Sequence, residues 1–154
     1  MERLILAIDP GPTQSGVVLW DDSSPCPRIN ARVADNHDLL LQLEGGGYQA
    51  LAIEMIASYG MAVGRDVFET CVWIGRFVQA ATVPAKLYVR NEIKMYLCGS
   101  SRARDTNVRQ ALIDLIGPPG TKKSPGPTHG VKSHAWAALA VAAYDKHMRW
   151  AKGW

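Results

Sequence analysis

The chain has 154 residues, of which 47% are hydrophobic and 20% charged, and its formal net charge is +3. This length and composition fit one globular domain, residues 1–154, and exclude a disordered chain. The mild positive charge permits a nucleic-acid partner without requiring one. No apolar run is long enough to span a membrane and the N-terminus lacks a signal-peptide pattern, so we expect no membrane association.

Cysteine usage bears on the compartment. The three cysteines are Cys26, Cys71 and Cys98, and their odd number and wide spacing predict neither a disulfide framework nor a zinc site. A reducing compartment is the simpler interpretation. We therefore expect a cytoplasmic protein.

Short, mostly apolar runs predict five β-strands, at residues 4–9, 15–20, 28–33, 50–54 and 86–89. A turn that begins at Pro10 separates the first two, which predicts a hairpin. Five further segments predict helices, at residues 36–43 with Asn36 as the N-cap, 66–81, 91–97, 104–116 and 131–150. This order predicts an α/β fold with a mixed sheet, in which a parallel crossover follows the hairpin.

Two of the predicted strands end in an acidic residue, Asp9 in the first and Glu54 in the fourth. Burying a lone carboxylate is unfavourable unless a partner compensates its charge. Two acids at two strand ends therefore indicate a shared partner, most simply a divalent cation. The alternatives are a turn aspartate satisfied by backbone amides for Asp9, and a solvated strand-end acid for Glu54.

His134 lies near the start of the last predicted helix. It is either a third site residue or an exposed residue of the first helical turn, which is the commoner role of a lone histidine. As a site residue it would be a metal ligand or, because the ordinary pKa of histidine is near neutrality, a general acid or base.

Several motifs together resemble the RuvC family of Holliday junction resolvases. The first is Ile8-Asp9-Pro10-Gly11 followed by Ser15-Gly16-Val17-Val18, and the second is Ala52-Ile53-Glu54. Ile93-Lys94, Gly99-Ser100 and Val108 match a Val-Lys pair, a glycine turn and a helix valine of that family. The segment from Ser133 to Ala142 resembles the family's last helix. The resemblance covers residues 4–144 and is nearest to compact, phage-type members.

The resemblance implies a ribonuclease-H-like fold with a mixed five-stranded sheet flanked by helices. It also implies a homodimer that cuts branched DNA with Mg²⁺, in the cytoplasm of a bacterial or phage-infected host cell. Asp9, Glu54 and His134 match three of the four metal-site positions, His134 where the family usually has an aspartate. Ala137 stands at the fourth position and offers no ligand. This ligand set carries less negative charge than four carboxylates and includes an imidazole. We therefore expect that Mn²⁺ can substitute for Mg²⁺, because Mn²⁺ accepts imidazole more readily.

DNA contacts are expected from basic side chains and one aromatic side chain. Tyr59 follows Glu54 in a predicted loop, where RuvC-like enzymes approach the junction centre, so it is either a base-stacking residue or a packing residue. The basic candidates precede the last helix, and the alternative for each is a solvated surface charge; they are Arg102, Arg104, Arg109, Lys122 and Lys123.

The sequence thus predicts a metal-dependent endonuclease that resolves Holliday junctions and other branched DNA. Two alternatives stay open. One is a junction-binding protein with weak or no cleavage, which the alanine at position 137 favours. The other is an RNA-processing nuclease of the same fold.

Overall fold

A computed structural model describes residues 3–153. Its strands are β1 (Leu4–Asp9), β2 (Gln14–Asp21), β3 (Arg28–Asp35), β4 (Ala50–Met55) and β5 (Ala85–Val89). They form one sheet in the order β3-β2-β1-β4-β5. The first three strands pair antiparallel, whereas β4 runs parallel to β1 and β5 parallel to β4. This mixed sheet confirms the predicted fold class.

Helices cover both faces of the sheet. They are α1 (Asn36–Gly45), α2 (Arg65–Ala80), α3 (Arg90–Cys98), α4 (Asp105–Ile116) and α5 (Ala135–Ala151). Side chains of β1 alternate between two cores: Ile5 and Ala7 pack on the α5 side, and Leu6 and Ile8 pack on the side of α1 and α2. Burial on both faces explains why β1 is an uninterrupted apolar run. No helix within residues 3–153 combines the length and hydropathy needed to cross a membrane.

The start of the last helix and the N-cap of α1 differ from the prediction, whereas the other three helices start within one residue of it. The last helix begins at Ala135 and not at residue 131, because Ser133 has a φ of 51° and turns the chain before the helix. The N-cap of α1 is Asp35, whose carboxylate accepts a hydrogen bond of 2.8 Å from the His37 amide. Asn36 is instead the first residue of the helix and is fully buried, so its side chain is free to serve another part of the fold.

Candidate active site

Asp9 and Glu54 lie side by side at the carboxyl ends of two neighbouring strands. Because β1 and β4 are parallel and Ile8 pairs with Ile53, the next residue of each strand reaches the same edge of the sheet. Only 12% of the Asp9 side chain and 15% of the Glu54 side chain are exposed. The structure therefore brings the two predicted acids together and largely removes them from solvent.

The two carboxyl groups hold each other in an unusual protonation state. Burial raises the pKa of Asp9. Burial, and next to it the charge of Asp9, raises the pKa of Glu54 to about 7, although Arg90 opposes the shift. Protonated Glu54 donates a hydrogen bond to Asp9, so the pair shares a proton in the metal-free protein. Near neutral pH, two negative charges at this edge need a compensating cation.

His134 reaches the same edge because of a glycine in β2. Gly16 lies opposite Asp9 in the hairpin. A Cβ atom at Gly16 would lie 2.3 Å from the carbonyl oxygen of His134, so only glycine lets the start of α5 settle on the strand. The His134 Nδ1 atom lies 3.4 Å from the Asp9 Oδ2 atom, and its side chain is 74% exposed. The structure thus places all three predicted site residues together.

Arg90 is a site residue that the sequence reasoning missed. It begins α3 directly after β5, the strand that pairs with β4. Its Nη1 atom lies 3.4 Å from Glu54 Oε1, and its Nη2 atom contacts the Asp105 carboxylate at the start of α4. The signal was available, since Arg90 follows a strand end beside the one that carries Glu54. Arg90 partly neutralises Glu54 and ties it to α4.

The turn after Asp9 is held by a buried ring of hydrogen bonds that the sequence also did not reveal. The Ser15 hydroxyl donates to Asn36 Oδ1 at 2.7 Å, and Asn36 Nδ2 donates to the Gly11 carbonyl at 2.9 Å. The Gly11 amide donates to Ser15 Oγ at 3.3 Å, which closes the ring. Ser15 and Asn36 are almost completely buried. The ring therefore fixes the turn, and with it the residue that precedes Pro10.

The site opens into a cleft of about 720 Å³. The helices contribute further lining residues, which include Lys94, Val108, Arg109, Trp136 and Ala137. Of the predicted DNA-contact residues, Arg109 lines the cleft, whereas five others are exposed and lie outside it; they are Tyr59, Arg102, Arg104, Lys122 and Lys123. Ala137 lines the cleft from α5 and contributes no acid to it.

The donor atoms fit a hard divalent cation that completes its shell from elsewhere. No group of three or more His, Cys, Asp or Glu side chains within residues 3–153 is arranged to hold a metal ion. Asp9 and Glu54 nevertheless supply two largely buried carboxylates that share a proton, and a cation could replace that proton. Mg²⁺ is commonly held by one or two carboxylates together with waters and substrate phosphates. The pair meets that requirement, and the His134 imidazole lies beside it, with Nδ1 3.4 Å from Asp9 Oδ2.

Comparisons with known proteins identify solved structures that have the same fold. No protein-family model matches the sequence, and no curated protein matches it. The structure is similar to RuvC of Thermus thermophilus, with 21% identity and a TM-score of 0.66 over 95% of this chain and 96% of that one. The complex of T. thermophilus RuvC with a Holliday junction substrate gives 22% identity and a TM-score of 0.67 over 96% of each chain. The chain therefore has the ribonuclease-H-like fold of RuvC.

Proposed function

We propose that this chain is a metal-dependent, structure-selective endodeoxyribonuclease that resolves Holliday junctions and other branched DNA. The observation that carries the proposal is the largely buried pair of Asp9 and Glu54, which lies at the strand ends of a RuvC-like fold and faces a cleft that Arg90, Lys94 and Arg109 also line. The solved complex of T. thermophilus RuvC with a Holliday junction substrate supports the choice of DNA structure. Such a substrate would place the enzyme in the cytoplasm of a bacterial or phage-infected cell.

Asp9 and Glu54 would hold Mg²⁺, or Mn²⁺ in its place. When bound, the cation would supply Lewis-acid stabilisation of the phosphate and lower the pKa of a bound water. Arg90 holds Glu54 from the side of β5, which limits the orientations of that carboxylate. The buried ring around Ser15 fixes the turn after Asp9. Both carboxylates are thus positioned before DNA arrives, so little reorganisation is needed at the moment of reaction.

The position of His134 supports two roles equally. Its Nδ1 atom lies 3.4 Å from Asp9 Oδ2, and its ring lies at the edge of the cleft. As a general acid, His134 would transfer a proton to the leaving oxygen. In its neutral form the same ring would instead complete the ligand set. Its exposed side chain leaves room for a phosphodiester beside it.

The remaining DNA contacts would lie on surfaces around the cleft. Lys122 and Lys123 belong to the exposed loop before α5, and Arg102 and Arg104 belong to the segment before α4. Such cations bind backbone phosphates without reading sequence. Tyr59 is 59% exposed in the loop after β4, which leaves its ring available for an unpaired base.

A homodimer would supply the two active sites that paired cuts require. Helix α2 and the loop before it expose large apolar side chains: Met61 is 79% exposed, Phe68 62% and Val72 64%. A row of exposed apolar groups along one helix is typical of an interface. We expect Phe68→Glu to yield a monomer by light scattering, whereas Leu115→Glu, at an exposed position on α4, should leave the assembly unchanged.

One assay tests the function. The protein is incubated with a synthetic four-way junction, a linear duplex and an RNA–DNA hybrid, each with Mg²⁺ or Mn²⁺. Paired symmetric nicks in the junction alone support the proposal. The Asp9→Asn variant should bind the junction without cutting it, because the amide keeps the shape of the side chain but lacks its charge. Unchanged cutting by this variant would refute the assignment of the site.

The other outcomes identify the rival functions. Tight junction binding without nicks in either metal would make the chain a junction-binding protein, the rival that Ala137 favours because the cleft lacks a ligand there. Cutting of the hybrid alone would instead indicate an RNA-directed nuclease.

A further inference from the structure

The positive charges of the cleft are not equivalent. Arg90 is committed to Glu54 and Asp105. Arg109 also lines the cleft, but it forms no salt bridge with a carboxylate of residues 3–153. Its guanidinium carbon instead lies 5.2 Å from the centre of the Trp136 ring. Among residues 3–153, Arg109 is therefore a cation without a carboxylate at salt-bridge distance, at the margin of a site rich in acids.

The Trp136 ring holds the guanidinium in a way that leaves it able to bind an anion. An aromatic face attracts a cation through its quadrupole and uses none of the N–H donors in a hydrogen bond. The planar guanidinium fork can then offer two parallel donors to phosphate oxygens. Trp136 is half-buried in the first turn of α5, which limits the movement of its ring. The pair thus resembles a ready-made phosphate contact.

The position of the pair relative to Ala137 gives it a specific use. Trp136 and Ala137 are consecutive residues of α5, and both line the cleft with Arg109. The Ala137 side chain has no donor atom, so it adds no ligand for a cation on this side of the cleft. A phosphodiester that approaches Asp9 and Glu54 needs positive charge on this side as well. Arg109 can supply it directly.

We propose that Arg109, held on the Trp136 ring, binds a phosphate of the cleaved strand on the Ala137 side of the cleft. The inference rests on the proposed nuclease function and adds a substrate contact to it. Arg109 touches the substrate, whereas Trp136 positions Arg109. The role is separate from general attraction of DNA by the exposed basic residues, because it concerns one phosphate near the scissile bond.

The test combines variants with neutral phosphate analogues. Four-way junctions are made with a methylphosphonate at one position at a time around the cut site. Single-turnover cutting is measured in Mg²⁺ and equilibrium binding in Ca²⁺. We expect Arg109→Ala to cut the unmodified junction about 10- to 100-fold more slowly, the effect of losing a charge-assisted hydrogen bond. In a plot of the logarithm of the binding constant against the logarithm of the salt concentration, the slope should become shallower by about 1 for each chain that carries Arg109→Ala.

The decisive result is the coupling between variant and analogue. At one position the methylphosphonate should slow the parent protein by about tenfold or more and leave Arg109→Ala almost unaffected, because the contact is already lost. Arg109→Lys should recover part of the rate, and Trp136→Phe should retain more of it than Trp136→Ala. Equal slowing of the parent and Arg109→Ala at every position would overturn the proposal.

A matched control lies at the other end of the same helix. Arg3 sits over the Trp150 ring at 5.0 Å, and Trp150 is about 20 Å along α5 from Trp136. Arg3→Ala should leave cutting and its response to the analogues unchanged. If the parent protein neither binds nor cuts the junction, the proposed function itself fails. If the parent cuts and Arg109→Ala cuts equally well, only the phosphate contact is refuted.

Discussion

Replacing Glu54 with glutamine is expected to stabilise the metal-free protein in mildly alkaline solution and to abolish junction cutting. The reason is that the pKa of Glu54 rises from the ordinary 4.5 to about 7, chiefly through burial and then through the charge of Asp9. At about 1.4 kcal/mol for each pKa unit, this difference corresponds to about 3 kcal/mol of unfavourable free energy once Glu54 is ionised. A glutamine has no charge to bury, so the variant escapes this penalty.

The sign of the pH dependence follows from the raised pKa. Between the ordinary pKa of 4.5 and the raised value of about 7, the folded protein holds a proton that the unfolded chain has already released. The free energy of unfolding of the metal-free protein therefore falls as the pH rises through this window. The Glu54→Gln variant lacks this part of the decline. The two proteins should differ least at about pH 4.5 and most at about pH 8.

Urea denaturation in the presence of EDTA measures the effect. We expect Glu54→Gln to exceed the parent by about 1–3 kcal/mol at about pH 8, with a smaller difference at acidic pH. Glu44→Gln, at an exposed site on α1, is the control and should change stability by less than about 0.5 kcal/mol. Adding Mg²⁺ should stabilise the parent more than the variant. A variant that is less stable than the parent at alkaline pH would refute the proposed repulsion between Asp9 and Glu54.

Three further substitutions probe the site. Ala137→Asp places a carboxylate in the cleft and should tighten Mn²⁺ binding by about tenfold, as measured by calorimetry; unchanged affinity would show that position 137 does not reach the ion. Gly16→Ala puts a Cβ atom 2.3 Å from the His134 carbonyl, and urea denaturation should show a loss of about 1–3 kcal/mol, together with slower cutting. Asn36→Ala leaves the buried Ser15 hydroxyl and the partly buried Gly11 carbonyl without this partner, and the expected loss in the same measurement is about 1–3 kcal/mol. Stabilities equal to the parent would contradict the last two.

The sequence predicted the sheet well because its central strands carry a signal in their own residues. Burial of both faces makes β1 and β4 continuous apolar runs, and each run stops at its acid. The closeness of Asp9 and Glu54 then follows from parallel pairing alone. Hydrogen bonds between side chains that are distant in the sequence left no such signal in the residues themselves. Asparagine is a residue type that commonly caps helices, so Asn36 was the predicted cap. Only the fold shows that Asp35 caps α1 and that the Asn36 side chain supports a turn in another part of the chain.

The charge balance of the cleft ties these features together. Asp9 and Glu54 are close enough to share a proton, and Arg90 only partly neutralises Glu54 because it also contacts Asp105. A cation held by Asp9 and Glu54 would offset their repulsion, so the affinity for the cation, and the stabilisation that it adds over the metal-free protein, should increase with pH. On the opposite side, Ala137 adds no negative charge, and Arg109 packs on the Trp136 ring without a salt bridge to any carboxylate of residues 3–153. A phosphodiester in this cleft would therefore meet positive charge from a bound metal ion on the strand side and from the protein itself on the helix side.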